Sequence, residues 1–281
     1  MSRQVWMHPG DLAPGDAKSA SADMSRIEFR RIESPDDPFF EMAFGALWTE
    51  FGESGELEPA DVLAARMRRD PSVMRGGQAM HYEMVLLTCG GEFAAVTDQT
   101  AFVSDDRPDA LVHISHNLVA PAWRRTGLAG WLRALPVATA RRLLALHGHP
   151  AASPITLVGE VEPIDHAQSG NVGRLRAYEK AGFLMIDPAR VNYLQPDFRS
   201  PAEIDATGGP TPVPLCLVLR HVGVSGMGGY ISGAETLRIV RALYSLFALD
   251  FRPQDMRCVF ESLSNYPAPD ARIALVLPTA A

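Results

Sequence analysis

ALVHISHNLVAPAWRRTGLA, residues 110–129, is the stretch on which the reading of the fold turns. Leu111, Val112, Ile114, Leu118 and Val119 surround His113, Ser115, His116 and Asn117, a length and β-branched content that suit an interior strand. Pro121 closes that strand. Arg124, Arg125, Thr126, Gly127, Leu128 and Ala129 follow, and then Trp131, Leu132, Val137, Leu143 and Leu144 recur at roughly helical spacing. A buried strand thus passes through a tight turn into a helix. The first amides of such a helix lack internal partners and sit at the positive end of its dipole, so the turn suits an anion such as a phosphate. Gly127 and Ala129 keep the approach clear of large side chains. The dipole contributes only about 0.3–1 kcal/mol in exposed settings. Several amides, helped by arginine charge, must therefore act together to hold a diphosphate.

Outward along the chain, NVGRLRAYEKAGF brings Asn171, Ala177, Tyr178, Gly182 and Phe183 into a second pattern, an asparagine followed seven residues later by tyrosine and then E-K-x-G-F. The two patterns lie about 40 residues apart with a plausible strand between them. Together they resemble motifs A and B of the GNAT superfamily, the acetyl-CoA-dependent N-acetyltransferases. Val119, Pro121, Arg124, Gly127 and Ala129 fill the V-x-P and (R/Q)-x-x-G-x-(G/A) places of motif A, and the resemblance covers roughly residues 25 to 222. It implies an α/β fold with a mixed, mainly antiparallel sheet flanked by helices, here followed by a helical C-terminal extension.

The resemblance also implies site residues. The backbone of Leu118, Val119 and Ala120 would pair with the pantetheine of acetyl-CoA like an added strand, and the turn from Arg124 through Arg125, Thr126, Gly127 and Leu128 to Ala129 would receive its diphosphate. Asn171 would hydrogen-bond the coenzyme arm, or act only as a helix cap or turn residue. Tyr178 would approach the coenzyme sulfur and protonate the departing thiolate. His113, six residues before Val119, stands where similar proteins often place a base or a water-holding residue, and an imidazole with a pKa near 6.5 accepts a proton at neutral pH. Glu160 is the rival base, with Glu162 less favoured. His116 has the opposite strand parity to His113, so the two share a face only if a bulge intervenes. The implied reaction is direct transfer of an acetyl group to an amine on a small molecule or a peptide, with no metal. The alternative is a non-catalytic module that keeps the coenzyme cradle for regulation, and an acyl chain longer than acetyl also stays open.

Composition narrows the setting. The 281 residues hold 26 basic and 33 acidic side chains, a net charge of −7 that argues against a general nucleic-acid binder. A local basic patch of Arg124, Arg125 and Arg133 is still suited to a phosphate, or is simply a solvated helix face. Glu160, Glu162 and Asp165 would favour a cationic acceptor if they faced it, and otherwise form a solvated acidic loop. Cys89, Cys216 and Cys258 are widely separated, which indicates neither a disulfide framework nor a zinc site. The sequence has no apolar run long enough for a membrane span and no signal-peptide pattern at its start, and the expected setting is the cytoplasm.

Residues 1–23, poor in large apolar groups and rich in Pro, Gly, Ser and Asp, are expected to be mobile or loosely attached, with the acyltransferase domain at 24–222 and the extension at 223–281. Met24 is a possible natural start. The expected elements are a strand at 27–32, helices at 36–51 and 59–69, a hairpin of strands at 80–88 and 92–103, the strand and helix already described, a strand at 154–161, a short helix ending at Gly182, and strands at 183–194 and 212–222. Pro136 should kink the long helix or divide it. GVSGMGGYISG resembles a hinge, and amphipathic helices are expected at 234–249 and 253–263, packing on the core or joining two copies into a homodimer.

Overall fold

The Gly90-Gly91 turn has both residues at positive φ (59° and 86°), the backbone that joins two right-twisted antiparallel strands in a tight hairpin. In the computed structural model, which describes residues 8–165, 169–223 and 228–280, strands β2 (Gln78–Cys89) and β3 (Glu92–Ser104) flank this turn. β1 (Ile27–Ile32) pairs antiparallel with β2, and β4 (Arg107–Val119) pairs antiparallel with β3. β4 begins earlier than the sequence suggests, since Arg107 already pairs with Ser104, across a register shift from the Val103–Ala110 pair.

Strand alternation sorts these side chains between two apolar layers. Tyr82, Met84 and Leu86 point to one face with Val96, where they meet Phe40, Ala43 and Leu47 of α1 (Phe40–Leu47) and Leu63 and Met67 of α2 (Ala60–Met67). Val85 and Leu87 point to the other with Ile27, Ala94 and Ala95, where Leu128, Leu132 and Leu135 of α3 (Leu128–Leu146) cover them. Each such side chain taken fully out of water contributes roughly 1.5–3 kcal/mol. α1 starts later than the expected 36–51 and ends in one π turn (Trp48–Gly52), while Pro59 caps α2 from outside. α3 runs unbroken through the buried Pro136, so the division expected there is absent: burial of one face by the sheet outweighs the lost N–H bond.

The described chain forms two compact units. The first is built on residues up to Val158 with a short return from His221, and the second on Gly159–Arg220 with the C-terminal residues from 228 onward. β5 (Ile155–Val161) contributes to both.

In the second unit, β8 (Val213–Val222) pairs antiparallel with both β6 (Leu184–Ile186) and β7 (Tyr193–Gln195), and β10 (Arg272–Val276) pairs with β6 and with β9 (Tyr230–Ser232). One expected strand at 183–194 is two short ones, because the turn at Asp187–Arg190 lifts the chain off the ladder; Arg190 N–H bonds back to Asp187 O at 3.0 Å. α4 (Ser169–Lys180) ends as expected at Gly182, whose φ of 75° lets the chain turn out of the helix. The Pro- and Gly-rich stretch after β7 holds a short helix that composition concealed, α5 (Pro201–Ala206), whose Ser200 and Glu203 form a reciprocal capping box. The two expected C-terminal helices are α6 (Gly233–Phe247), capped by Ser232, and α7 (Pro253–Ser262). They pack within the second unit through Phe198, Phe247 and Phe251 and through Arg252 with Asp205. The GVSGMGGYISG stretch lies partly outside the described residues, and its end is β9.

No helix among the described residues is long and apolar enough to cross a membrane.

Candidate functional site

In the first unit, β4 ends at Val119 and a single turn of 3-10 helix (Pro121–Trp123) swings the chain toward α3. Trp123 N–H bonds Ala120 O at 2.8 Å, Thr126 Oγ1 donates to Trp123 O at 2.6 Å, and Arg124 Nε donates to Val119 O at 3.3 Å. Two residues of the turn sit in the left-handed region, Arg125 at φ 67° and Gly127 at φ 98°. Such backbone is unfavourable for Arg125, whose Cβ crowds the chain, and freely accessible to Gly127. Gly127 precedes the first residue of α3 and caps it with no side-chain acceptor. The first amides of α3 are thus left without a side-chain cap while Arg124, Arg125, Thr126 and Ala129 are exposed. Leu118, Val119 and Ala120 are half-buried, the first two paired on the β3 side with Val96 and Ala95.

Arg133 does not join the basic patch expected with Arg124 and Arg125. Its guanidinium is held in a two-pronged pair with Asp16, Nε to Oδ2 at 3.0 Å and Nη2 to Oδ1 at 2.7 Å. Residues 9–21 carry that carboxylate. Composition marks them as loosely attached, yet they form two 3-10 helices, Pro9–Asp11 and Pro14–Ser21, bonded to α3 through Asp16, Asp11 and Ser19.

The intervening bulge exists. Asp98 pairs with His116 and Gln99 with Ile114, so Ser115 is the extra residue, and His113 and His116 both point to the face covered by α1 and α2. His113 is 2% exposed, with Nδ1 3.5 Å from Ser115 Oγ. His116 belongs to a buried polar cluster that the sequence did not disclose. Its Nδ1 lies 2.9 Å from Asp98 Oδ1, its backbone N–H donates to the same oxygen, and its Nε2 lies 3.0 Å from Glu56 O. Tyr82 donates to the other Asp98 oxygen at 3.0 Å, and the buried Arg66 pairs with Glu58 nearby. Burial opposes a charge on His116, but the carboxylate of Asp98 and its hydrogen bond, with Glu58 and Glu56 O, outweigh it and raise the imidazole to about 9. The signal available in the sequence was His116 itself; its partner lies on another strand.

A second charge cluster, reaching from the exposed Glu33 through half-buried His81 to the buried Glu83, brings these three within metal-ligating distance of one another. Arg142 pairs with both glutamates and Arg31 lies 3.4 Å from Glu83, so the negative charge is met by guanidinium groups. The hydrogen bond from His81 and the Arg142 charge hold Glu33 at about 2 against partial burial.

In the second unit, Tyr178 faces β5: its hydroxyl stands 3.5 Å from where a Cβ on Gly159 would lie, and its ring meets Phe183 edge-on at 5.1 Å. Glu160 accepts a hydrogen bond from the hydroxyl of Tyr193, and burial together with the Glu160 charge pushes that phenol well above its ordinary pKa. Asn171, 5% exposed, ties the loop after β5 to α4: its amide donates to Glu162 at 3.2 Å and to Pro163 O at 3.3 Å, and its Oδ1 accepts from Asp165 N at 3.3 Å. Glu162 also pairs with Arg174 at 3.1 Å. The carboxylates of Glu160 and Glu162 are therefore engaged locally. Cys89 and Cys216 are buried thiols and Cys258 is partly buried; none is in a disulfide.

No family model and no curated protein matches the sequence. Solved structures similar to it include the ribosomal-protein-S18-alanine N-acetyltransferase of Escherichia coli, 16% identical over 73% of this chain and 99% of that one with a TM-score of 0.34. An aminoglycoside acetyltransferase from an uncultured soil metagenomic sample is 10% identical over 54% of this chain and 87% of that one, with a TM-score of 0.36. A tandem GNAT protein from the clavulanic acid biosynthesis pathway is 17% identical over 85% and 64% respectively, also at 0.36.

Proposed function

We propose that the protein is a GNAT-like N-acetyltransferase that moves an acetyl group from acetyl-CoA directly to an amine. The observation that carries this reading is the first turn of α3. Gly127 is left-handed, no side chain caps the helix, and two exposed arginines adjoin it, a donor set that fits a diphosphate. Acetyl-CoA supplies the thioester carbonyl and its leaving thiolate. The amides from Arg125 to Ala129 hold the diphosphate, and the main chain of Leu118 to Ala120 lies along the pantetheine. Tyr178 gives its phenolic proton to the thiolate. His113 takes a proton from the amine; Glu160 is the less favoured base because its carboxylate is already engaged by the Tyr193 hydroxyl. Positioned general bases of this kind contribute about 10²–10⁴ in rate. The acceptor is a small molecule or peptide amine in the cytoplasm.

The rival reading, a coenzyme-binding regulatory module without turnover, shares the α3 turn. The hydroxyl of Tyr178 standing over Gly159 favours the enzyme.

Calorimetric titration of the full chain with acetyl-CoA, CoA and ATP in parallel, followed by an amine panel monitored by thiol release, tests both. Micromolar binding of acetyl-CoA and CoA well above any ATP response is the expected result, with thiol released in the presence of at least one amine. Absence of CoA binding by folded protein refutes the coenzyme assignment, and binding without release for any amine selects the regulatory module.

A further inference from the structure

The segment before β1 makes one continuous set of contacts along α3, in antiparallel order. Asp11 meets Arg141 (Oδ1 to Nη2 at 2.7 Å), Asp16 meets Arg133, and Ser19 O accepts the indole N–H of Trp131 at 2.9 Å. Ser19 also occupies the space a side chain on Gly130 would need, and Ala22 Cβ lies 3.1 Å from where a Cβ on Gly127 would be. Asp11, Asp16 and Ser19 are themselves buried by this packing. Of these contacts, those of Ser19 and Ala22 reach the first turn of α3, beside the left-handed Arg125, whose backbone cost has to be offset by its surroundings. The opposite side of the turn, with Arg124, Arg125, Thr126 and Ala129, stays exposed. The segment therefore flanks the turn without covering it.

We propose that residues 9–22 are a brace that holds the anion-binding turn of α3 in its coenzyme-competent shape, which makes Asp16 and Ser19 positioning residues for acetyl-CoA. The inference rests on the acetyltransferase reading. Uncapped amides bind a diphosphate well only when they already point at it, and errors of about 0.5 Å are enough to weaken such a site.

The test uses the full chain with Asp11→Asn and Asp16→Asn together, which releases both arginines without removing their charge. A second variant, Gly130→Ala, displaces Ser19 sterically and presses on Asp16 Cβ, which lies 3.1 Å from the added methyl, while keeping all the charged groups and suiting a helix interior. In each, hydrogen exchange should quicken at residues 9–22 and 126–131, and the dissociation constant for CoA should rise about tenfold, with KM for acetyl-CoA raised and kcat little changed. A merely structural attachment would lower the melting temperature and leave the affinity of the folded protein alone. Affinity unchanged in folded variants with released segments overturns the brace; affinity increased overturns it in favour of a plug that competes with the coenzyme. Failure of the acetyltransferase reading is distinguished because the unaltered chain then binds no CoA before any substitution is made, and that outcome refutes the coenzyme role of the brace with it.

Discussion

His116→Ala should lower the unfolding free energy by about 3–5 kcal/mol, because it strips the partner from a carboxylate that is fully buried. Asp98 is 0% exposed and, once the imidazole is gone, is left with the Tyr82 hydroxyl, a backbone N–H and the more distant Arg66 charge. The same change frees Glu56 O, in the segment between the π turn and α2, from its bond to β4. Removing both charges should cost less: Asp98→Asn with His116→Ala leaves no unpaired ion, so the double variant should be more stable than His116→Ala alone.

The pH dependence follows in sign. An imidazole raised from 6.5 to about 9 stabilises the folded state fully below 6.5 and loses that contribution as the pH climbs through 9. Asp98 is held below the ordinary carboxylate value: burial alone would raise it, but the His116 charge and bond win. Its contribution is present at neutral pH and lost in acid. Urea titrations at pH 6 and pH 9.5 should thus show the gap between the unaltered protein and His116→Ala narrowing at the higher pH. An equal gap at both would mean that the pair is neutral and the histidine only packs.

The second large effect is on turnover. Tyr178→Phe should reduce the rate of thiol release about 10²-fold or more while leaving CoA affinity within about twofold, if the phenol is the proton donor to the thiolate. The ring can stay where it is, against Phe183 and on a helix that Gly182 ends, so the loss falls on the hydroxyl. Stability should change by about 1 kcal/mol, the worth of one hydroxyl bond. Steady-state thiol release with the best amine of the panel and calorimetry with CoA separate the two quantities. Unchanged turnover would remove Tyr178 as the acid.

How legible each part was depended on the range of the interaction behind it. β1, the β2–β3 hairpin, α3 and the stop at Gly182 were readable because apolar period, a Gly-Gly turn and a helix-ending glycine are local signals. The break of 183–194 into β6 and β7 was harder to see, since a single Asp-Pro turn had to outweigh a run of strand-forming residues on both sides. β9 and β10 are too short to declare themselves; they are strands only because a partner strand is there to pair with them.

The candidate site divides in the same way. The turn from Arg124 to Ala129 and the helix bearing Tyr178 were legible as chemistry, because each is one contiguous stretch. The bulge at Ser115 was not, since register is a property of two strands and only pairing with Asp98 and Gln99 displaces it. Low apolar content made residues 9–22 look detached; Asp11 and Asp16 instead find arginines 130 and 117 residues away in sequence.

The sequence by itself determined the elements with strong local signals, β1, the β2–β3 hairpin, α3 and the helix stopped at Gly182, and where a glycine permits a left-handed turn at the mouth of α3. The tertiary structure alone decided which charges meet. Asp98 with His116, Asp16 with Arg133 and Tyr193 with Glu160 are pairs across distant segments. A buried charge has to find its partner in space, and proximity in space is set by how the elements pack rather than by their order along the chain.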